Sequence, residues 1–256
     1  MIDNKYNSVL SWDVGVKNLA YCILERNIDN IEDKPKTKHG FYIRDWGVIN
    51  LHEDEMAEVK LCESLTKKGS ICNKKTKLFL DDHFYCKTHS PLNSKLIKKP
   101  KKKLKSPFEY SKRMKLAFEK NPGLLNVDAV IIENQPSNLN PVMKTVQMLV
   151  FSYFSYNCES EKSQNLTFVG NINAKQKEKL PKNDLEWPGS ENEIIVKNRY
   201  TKIKDPYKRR KILCLEYAKM CLKNCPKYLS HLENHSKQDD LSDCFLQATD
   251  WFLRNP

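Results

Sequence analysis

The sequence predicts a mixed α/β domain built on an open sheet, and three observations carry that prediction. Three apolar runs of strand length follow one another near the start of the chain. Two further runs of strand length then alternate with amphipathic stretches, and the last stretch carries a helical stripe. Neighbouring strands joined by short links pair antiparallel, and strands alternating with helices pair parallel, so the expected sheet has three antiparallel strands and then parallel ones, flanked by helices.

Residues 8–14 and 19–25 are apolar enough for strands, and the link Gly15-Val16-Lys17-Asn18 suits a hairpin between them. After a polar loop from Asn27 to His39, Phe41 to Leu51 offers a third strand carrying Tyr42, Ile43, Trp46, Val48 and Ile49. Residues 53–105 break the pattern. They hold a Cys/His cluster and then a lysine run, with little periodic apolar content, and read as an insertion into a main domain formed by 1–52 and 106–256. A helix resumes at Ser106 or Pro107, runs through Met114, Leu116 and Phe118, and stops at Asn121-Pro122-Gly123. Asp128 to Glu133 is the fourth strand. Asn134 to Asn140 is a polar turn, and Pro141 suits the first turn of a helix over 141–157. Leu166 to Val169 makes a short fifth strand, residues 171–205 read as loop-rich, and Tyr207 to Leu222 as a basic helix. In the last helix, Ser236 to Leu253, the residues Leu241, Cys244, Phe245, Ala248, Trp251 and Phe252 recur every three or four, as on a core-facing side.

Charge points to the partner. Forty-four Lys and Arg face 32 Asp and Glu, for a formal charge of +12. Lys98, Lys99, Lys101, Lys102 and Lys103 lie in one dense run, and Lys208, Arg209, Arg210 and Lys211 form a second block. Such blocks stay solvated and attract polyanions through counterion release, so nucleic acid is the expected partner. No apolar stretch is long enough to span a bilayer, and no membrane partner is expected. The N-terminal residues carry neither a signal-peptide core nor an Arg-rich presequence, so the expectation is an intracellular protein, with mitochondrial import disfavoured. The Lys-, Asn- and Ile-rich composition fits an AT-rich genome such as that of a large DNA virus, where the compartment is the host nucleus or a cytoplasmic virus factory. Nine cysteines without a secretory signal favour metal binding or simple burial over disulfides.

Against this basic background five acids stand out. Asp13 ends the run Val9-Leu10-Ser11-Trp12, Glu133 ends Ala129-Val130-Ile131-Ile132, and Asp239, Asp240 and Asp243 open the last helix. Carboxylates at strand ends and at the start of a packed helix can converge at one sheet edge. There they could hold two divalent ions roughly 3.5–4 Å apart for phosphodiester hydrolysis. Mg²⁺ is a hard ion that prefers such oxygens, with Mn²⁺ as its substitute. Asp240 and Asp243, at i and i+3, share a helix face. Asp239 is open between two roles, a ligand at i, i+4 from Asp243 or the partner of Ser236 in a capping box.

Together the segments Asp13-Val14-Gly15-Val16-Lys17-Asn18-Leu19-Ala20, Ile131-Ile132-Glu133-Asn134-Gln135 and Lys237-Gln238-Asp239-Asp240-Leu241-Ser242-Asp243 resemble the Holliday junction resolvases of the RuvC type. The resemblance is closest to their poxvirus and yeast mitochondrial branch, within the ribonuclease H-like superfamily. It implies a ribonuclease H-like fold and a metal-dependent endonuclease that nicks four-way DNA junctions symmetrically as a homodimer. It implies Asp13, Glu133, Asp240 and Asp243 as the metal ligands. The bacterial enzymes carry an aromatic residue just after the strand-four glutamate, whereas Asn134-Gln135-Pro136-Ser137 follows here. Gln135 and Asn138 are candidates for contacts to the DNA backbone near the cut. Two alternatives stay open: a nuclease acting on RNA–DNA hybrids or other branched DNA, and a DNA-binding protein with an inactive site.

The inserted segment has chemistry of its own. Cys62, Cys72, Cys86 and His89 follow a C-x₉-C-x₁₃-C-x₂-H spacing, three thiolates and an imidazole suited to one tetrahedral structural Zn²⁺. A core-poor segment of this kind needs a metal to fold. Cys221, Cys225, His231 and His235 have a comparable spacing, but Cys221 falls where a helix buries it, so a structural role is expected for that set.

Overall fold

The computed structural model describes residues 5–26, 35–52, 60–76, 78–93, 95–96, 105–138, 140–160, 163, 165–174, 176, 180 and 202–256. The lysines at 98, 99, 101, 102 and 103 lie outside the described residues. Two compact units emerge. One joins Met1–Leu51 to Pro107–Pro256, and the other is His52–Ser106.

Strict alternation of side chains builds the larger unit. Its strands are β1 (Ser8–Val14), β2 (Asn18–Glu25) and β3 (Tyr42–Asn50). In the smaller unit lie β4 (Leu78–Leu80), β5 (His83–Tyr85) and β6 (Lys95–Leu96). The chain then returns through α1 (Pro107–Glu119), a 3₁₀ turn at Pro122–Leu124, β7 (Ala129–Glu133), α2 (Pro141–Asn157) and β8 (Phe168–Ile172). It ends with α3 (Pro206–Cys221), α4 (Pro226–Asn234) and α5 (Gln238–Arg254). The main sheet has the order β3-β2-β1-β7-β8, with β3, β2 and β1 antiparallel and β7 and β8 parallel to β1. This is the ribonuclease H-like arrangement the resemblance implies.

Both faces of the sheet are covered, and successive residues serve opposite cores. Leu10, Trp12, Val14, Val130 and Ile132 pack with Tyr110, Phe118, Val150 and Phe154 of α1 and α2. Val9, Ala129 and Ile131 pack on the other side with Cys214, Tyr217, Leu241, Phe245 and Phe252 of α3 and α5. Parity therefore sends Asp13 and Glu133 to the α5 side. Asp128 locks the register that makes them neighbours. Its Oδ2 accepts from the backbone N–H groups of Asn7 (2.6 Å) and Ser8 (3.0 Å), while its own N–H donates to Ser8 Oγ (2.9 Å). Trp12 then pairs with Ile132, and the next residues along are Asp13 and Glu133.

Three elements differ from the sequence expectation. The fifth strand begins at Phe168 because Leu166, fully buried, belongs to the preceding turn, where its N–H bonds to Ser163 O. Helix α4 was not expected. Pro226 sits at its first helical turn, where its missing N–H costs nothing. The smaller unit, expected only as an insertion with little periodic apolar content, contains a three-stranded sheet β5-β4-β6 whose strands are too short to show a period.

Candidate active site

A cleft of about 450 Å³ opens beside the end of β1 and the start of α5. Asp13, Glu133, Asp240 and Asp243 all line it. The two strand carboxylates arrive by parity and register. The two helix carboxylates arrive because Trp46 Nε1–H donates to the Leu241 carbonyl (3.1 Å), docking the first turn of α5 onto β3. Gly15 allows the tight turn at the rim: its N–H bonds to Asn18 O (3.0 Å), and a Cβ there would stand 2.7 Å from that oxygen.

Glu133 is buried, and its orientation is set by a residue that sequence reasoning missed. Gln247 Nε2 donates to Glu133 Oε2 at 2.7 Å, and Gln247 Oε1 accepts from Ser11 Oγ at 3.2 Å. Gln247 is itself 1% exposed. In the sequence it is a glutamine one turn after Asp243, on a helix that also buries Ser242, Thr249 and Asp250, so its polarity alone does not single it out. Gln147 works similarly on the neighbouring loop, accepting from the Gln135 N–H (2.9 Å) and donating to Asn171 Oδ1 (2.6 Å).

Asp239 lies off this cleft. Its carboxylate is ion-paired with Lys211 and lines a separate depression with His235, Ser236 and Gln238. Burial pushes the Asp239 carboxyl up, but the hydrogen bond and charge of Lys211 outweigh it and hold it below its ordinary value. The N-cap of α5 is Lys237, with no side-chain capping hydrogen bond, so the capping box with Ser236, one of the two roles open to Asp239, does not start the helix. Asp240 behaves oppositely. Burial, then the charge of Asp239, raises it, with Lys237 and Lys211 opposing.

Cations share the cleft with the acids. Lys17, Arg210, Lys211 and Lys237 line it, with Lys237 Nζ 3.6 Å from Asp240 Oδ2. Lys208 is exposed, whereas Arg209 turns onto the backbone carbonyl of Ile203 through Nε (3.0 Å) and Nη2 (2.6 Å). Gln135 lines the cleft, and Asn138 is exposed on the following turn. Four carboxylates from two strand ends and one helix line this cleft, and as hard oxygen donors they are of the chemical kind that Mg²⁺ or Mn²⁺ prefers.

A second cluster lies in the smaller unit. The ligand atoms of Cys62, Cys72, Cys86 and His89 all fall within 4.8 Å of one another. His89 Nδ1 is 3.5 Å from Cys62 Sγ and 3.6 Å from Cys86 Sγ, and the sulfurs of Cys72 and Cys86 are 3.9 Å apart. A tetrahedral ion with bonds of about 2.3 Å to sulfur and about 2.0 Å to nitrogen has edges of about 3.5–3.8 Å. These three separations are close to such edges, so the set is grouped as a tetrahedral site requires. Burial raises the Cys62 thiol, but the Cys86 backbone and His89 outweigh it and bring it down to about 6. By contrast Cys221 and Cys225 are buried in the α3–α5 core, and His231 packs on Trp46 with ring centroids 5.6 Å apart.

The sheet order is that of the ribonuclease H-like class, and the carboxylate-lined cleft lies at the strand ends of that sheet. Within that class, a family described as "Mitochondrial resolvase Ydc2 / RNA splicing MRS1" matches residues 9–140, more than half of the sequence, and the chain belongs to that family. A mimivirus protein (Acanthamoeba polyphaga mimivirus), the uncharacterized protein L451, is 26% identical over 94% of this chain and 73% of its own length. The yeast mitochondrial Holliday junction resolvase Ydc2 is similar at 16% identity and a TM-score of 0.48, covering 95% of this chain and 78% of that one. The fowlpox virus resolvase, solved with substrate Holliday junction DNA, is similar at 14% identity and a TM-score of 0.46, covering 96% and 97%.

Proposed function

We propose that this protein is a Holliday junction resolvase that nicks four-way DNA junctions symmetrically as a homodimer. One observation carries the reading: in a member of the resolvase family, Asp13, Glu133, Asp240 and Asp243 line one cleft. The family description also covers RNA splicing, but a full carboxylate set beside four cations is chemistry for phosphodiester hydrolysis rather than for binding alone.

In this reading Asp13, Glu133, Asp240 and Asp243 hold two Mg²⁺ or Mn²⁺ ions, and Asp239 holds Lys211 in place instead. Bound there, the ions would activate the attacking water and stabilise the leaving oxygen. Gln247 holds the Glu133 carboxylate in its orientation at the strand end. Lys17, Arg210, Lys211 and Lys237 offset the acids and draw a phosphodiester into the cleft. Gln135 and Asn138 meet the backbone near the cut. Lys208, with the lysines at 98, 99, 101, 102 and 103, supplies nonspecific affinity through counterion release. Arg209, turned onto Ile203, contributes mainly to the loop before α3.

Residues 53–105 form an inserted module in the nuclease domain of 1–52 and 106–256, and Cys62, Cys72, Cys86 and His89 hold one structural Zn²⁺. With a closed set of four ligands, that ion has no open position for catalysis. Among the described residues no helix is long and apolar enough to cross a membrane. The mimivirus relative supports a viral source, and with it a host nucleus or cytoplasmic virus factory as the compartment.

The test compares cleavage of a four-way junction, a linear duplex and an RNA–DNA hybrid in Mg²⁺. Paired symmetric nicks in the junction are expected. Asp13→Asn should lose cleavage by at least about a hundredfold while binding the junction as tightly as wild type or tighter, because a charge that repels DNA is gone. An Asp13→Asn protein that cuts junctions near the wild-type rate would sink the reading. Preferential cutting of the hybrid would replace the resolvase with a hybrid-directed nuclease.

A further inference from the structure

The metal-cluster unit carries a feature that neither metal binding nor folding accounts for. Residues 60–76 form a hairpin tied by antiparallel bridges at Leu61–Lys75 and Leu65–Ile71. Its base is fastened by Cys62 N–H to Lys74 O (2.9 Å), Asn73 N–H to Cys62 O (3.1 Å) and Cys72 N–H to Ser64 O (2.8 Å), so two of the three metal-site cysteines sit within the ladder. The tip closes through Thr66 N–H to Ser70 O (2.7 Å) and Gly69 N–H to Thr66 O (2.9 Å), with Gly69 at φ +80°, a left-handed conformation suited to glycine.

Beside this tip sit two aliphatic side chains in water. Leu65 is 65% exposed and Ile71 57% exposed. Directly opposite each other on antiparallel strands, they project from the same face as one apolar ridge. Around them the hairpin is basic. Lys60, Lys67, Lys68, Lys74 and Lys75 face a single acid, Glu63, which His83 Nδ1 already engages at 2.8 Å. An apolar ridge alone says nothing about its partner. A ridge set among lysines selects a polyanion that also offers apolar surface, and DNA with an open base step does so. Leu and Ile are among the side chains that wedge between base pairs, whereas in a continuous duplex the faces they would contact are already stacked.

We propose that the tip over residues 64–72 is a DNA wedge: Leu65 and Ile71 pack against an unstacked base step at a branch point while Lys67 and Lys68 bind the flanking phosphates. The proposal deepens the resolvase reading and rests on it.

Full-length protein and a four-way junction carrying 2-aminopurine at the branch provide the test. Leu65→Ala with Ile71→Ala should abolish the fluorescence rise on binding and slow junction cleavage about tenfold or more, while zinc content stays at the wild-type level. Leu65→Met with Ile71→Met, which keeps the ridge apolar, should behave as wild type. Lys67→Ala with Lys68→Ala should weaken binding and lower the slope of log K against log salt by about 1.8, two phosphate contacts at about 0.9 each. Alanine variants that match wild type in fluorescence, cleavage and salt slope would overturn the wedge. So would a cleavage defect that tracks zinc loss and is shared by the methionine pair, which would make the ridge structural. Loss of self-association in the alanine pair would make it an interface between copies, with the same consequence. Wild-type protein that cuts no branched DNA would remove the resolvase reading itself, and the wedge with it.

Discussion

Glu133 shows how much of a site depends on residues that never meet substrate. Its carboxylate is buried at the end of a strand and bonded to Gln247 at 2.7 Å, with Ser11 behind. Partners of this kind orient a ligand, and removing one costs roughly 10–100-fold in metal affinity or activity. Gln247→Leu should therefore raise the Mg²⁺ concentration for half-maximal cleavage about tenfold, with junction affinity in EDTA unchanged. Titrating Mg²⁺ against cleavage checks this, and thermal melting separates it from a packing defect. A variant that melts earlier but titrates as wild type would assign Gln247 to the core alone. The acids themselves were legible in the sequence because each interrupts an apolar pattern at its end. Gln247 was not, because a polar residue within a core-facing helix looks no different from one that caps a backbone group. Asp239 and Asp240 were separable only in three dimensions, since adjacent helix positions point about 100° apart and Lys211 belongs to a different helix.

Among the elements, the strands were the most legible and the smaller unit the least. β1, β2 and β7 alternate between two cores, so apolar residues fill both of their faces and their ends are sharp. That same alternation could have placed Asp13 and Glu133 on the α5 face, had parity been counted from Val9 and Ala129. Helix α4 has one fully buried residue, Leu232, which is too little to mark nine residues as helical. In the smaller unit the deficit is physical. Among the described residues from 60 to 93, the buried apolar side chains are Cys62 and Cys86, both members of the metal cluster. Strands of two or three residues cannot offset their own ordering entropy of roughly 1–2 kcal/mol per residue, whereas a structural zinc contributes on the order of 10 kcal/mol. Purified protein should carry about one Zn²⁺ per chain. Stripping it with a chelator should collapse amide protection over residues 60–90 and spare β1, β2 and β7, as read by hydrogen exchange. Protection that survives complete metal removal would show that the hairpin and its sheet stand without the ion.

At the scale of the whole molecule, symmetry makes a demand that one chain does not meet. Cutting two opposed strands of a two-fold junction in step takes two clefts related by the same axis, and an isologous dimer supplies that. Helix α2 carries more apolar surface than one core face uses. Val146, Val150 and Phe154 are buried against the sheet, while Met148 is 42% and Tyr156 86% exposed. Both exposed residues lie on a helix whose first turn borders the cleft through Met143, so pairing through α2 would couple the two sites mechanically. A stable interface hides about 800 Å² on each partner, more than these side chains provide, so neighbouring elements must join them. Sedimentation should give a species of twice the 30.0 kDa chain, free or junction-bound. Met148→Glu should shift it toward monomer, because burying an unpaired carboxylate costs several kcal/mol. The monomerised protein should keep a cleft able to nick one strand while losing the coupling between nicks, seen as accumulation of singly nicked junction in a supercoiled cruciform substrate. Wild-type protein that sediments as a monomer both alone and on DNA would contradict the dimer. Symmetric nicking would then need two independent binding events, and cleavage would rise with the square of protein concentration.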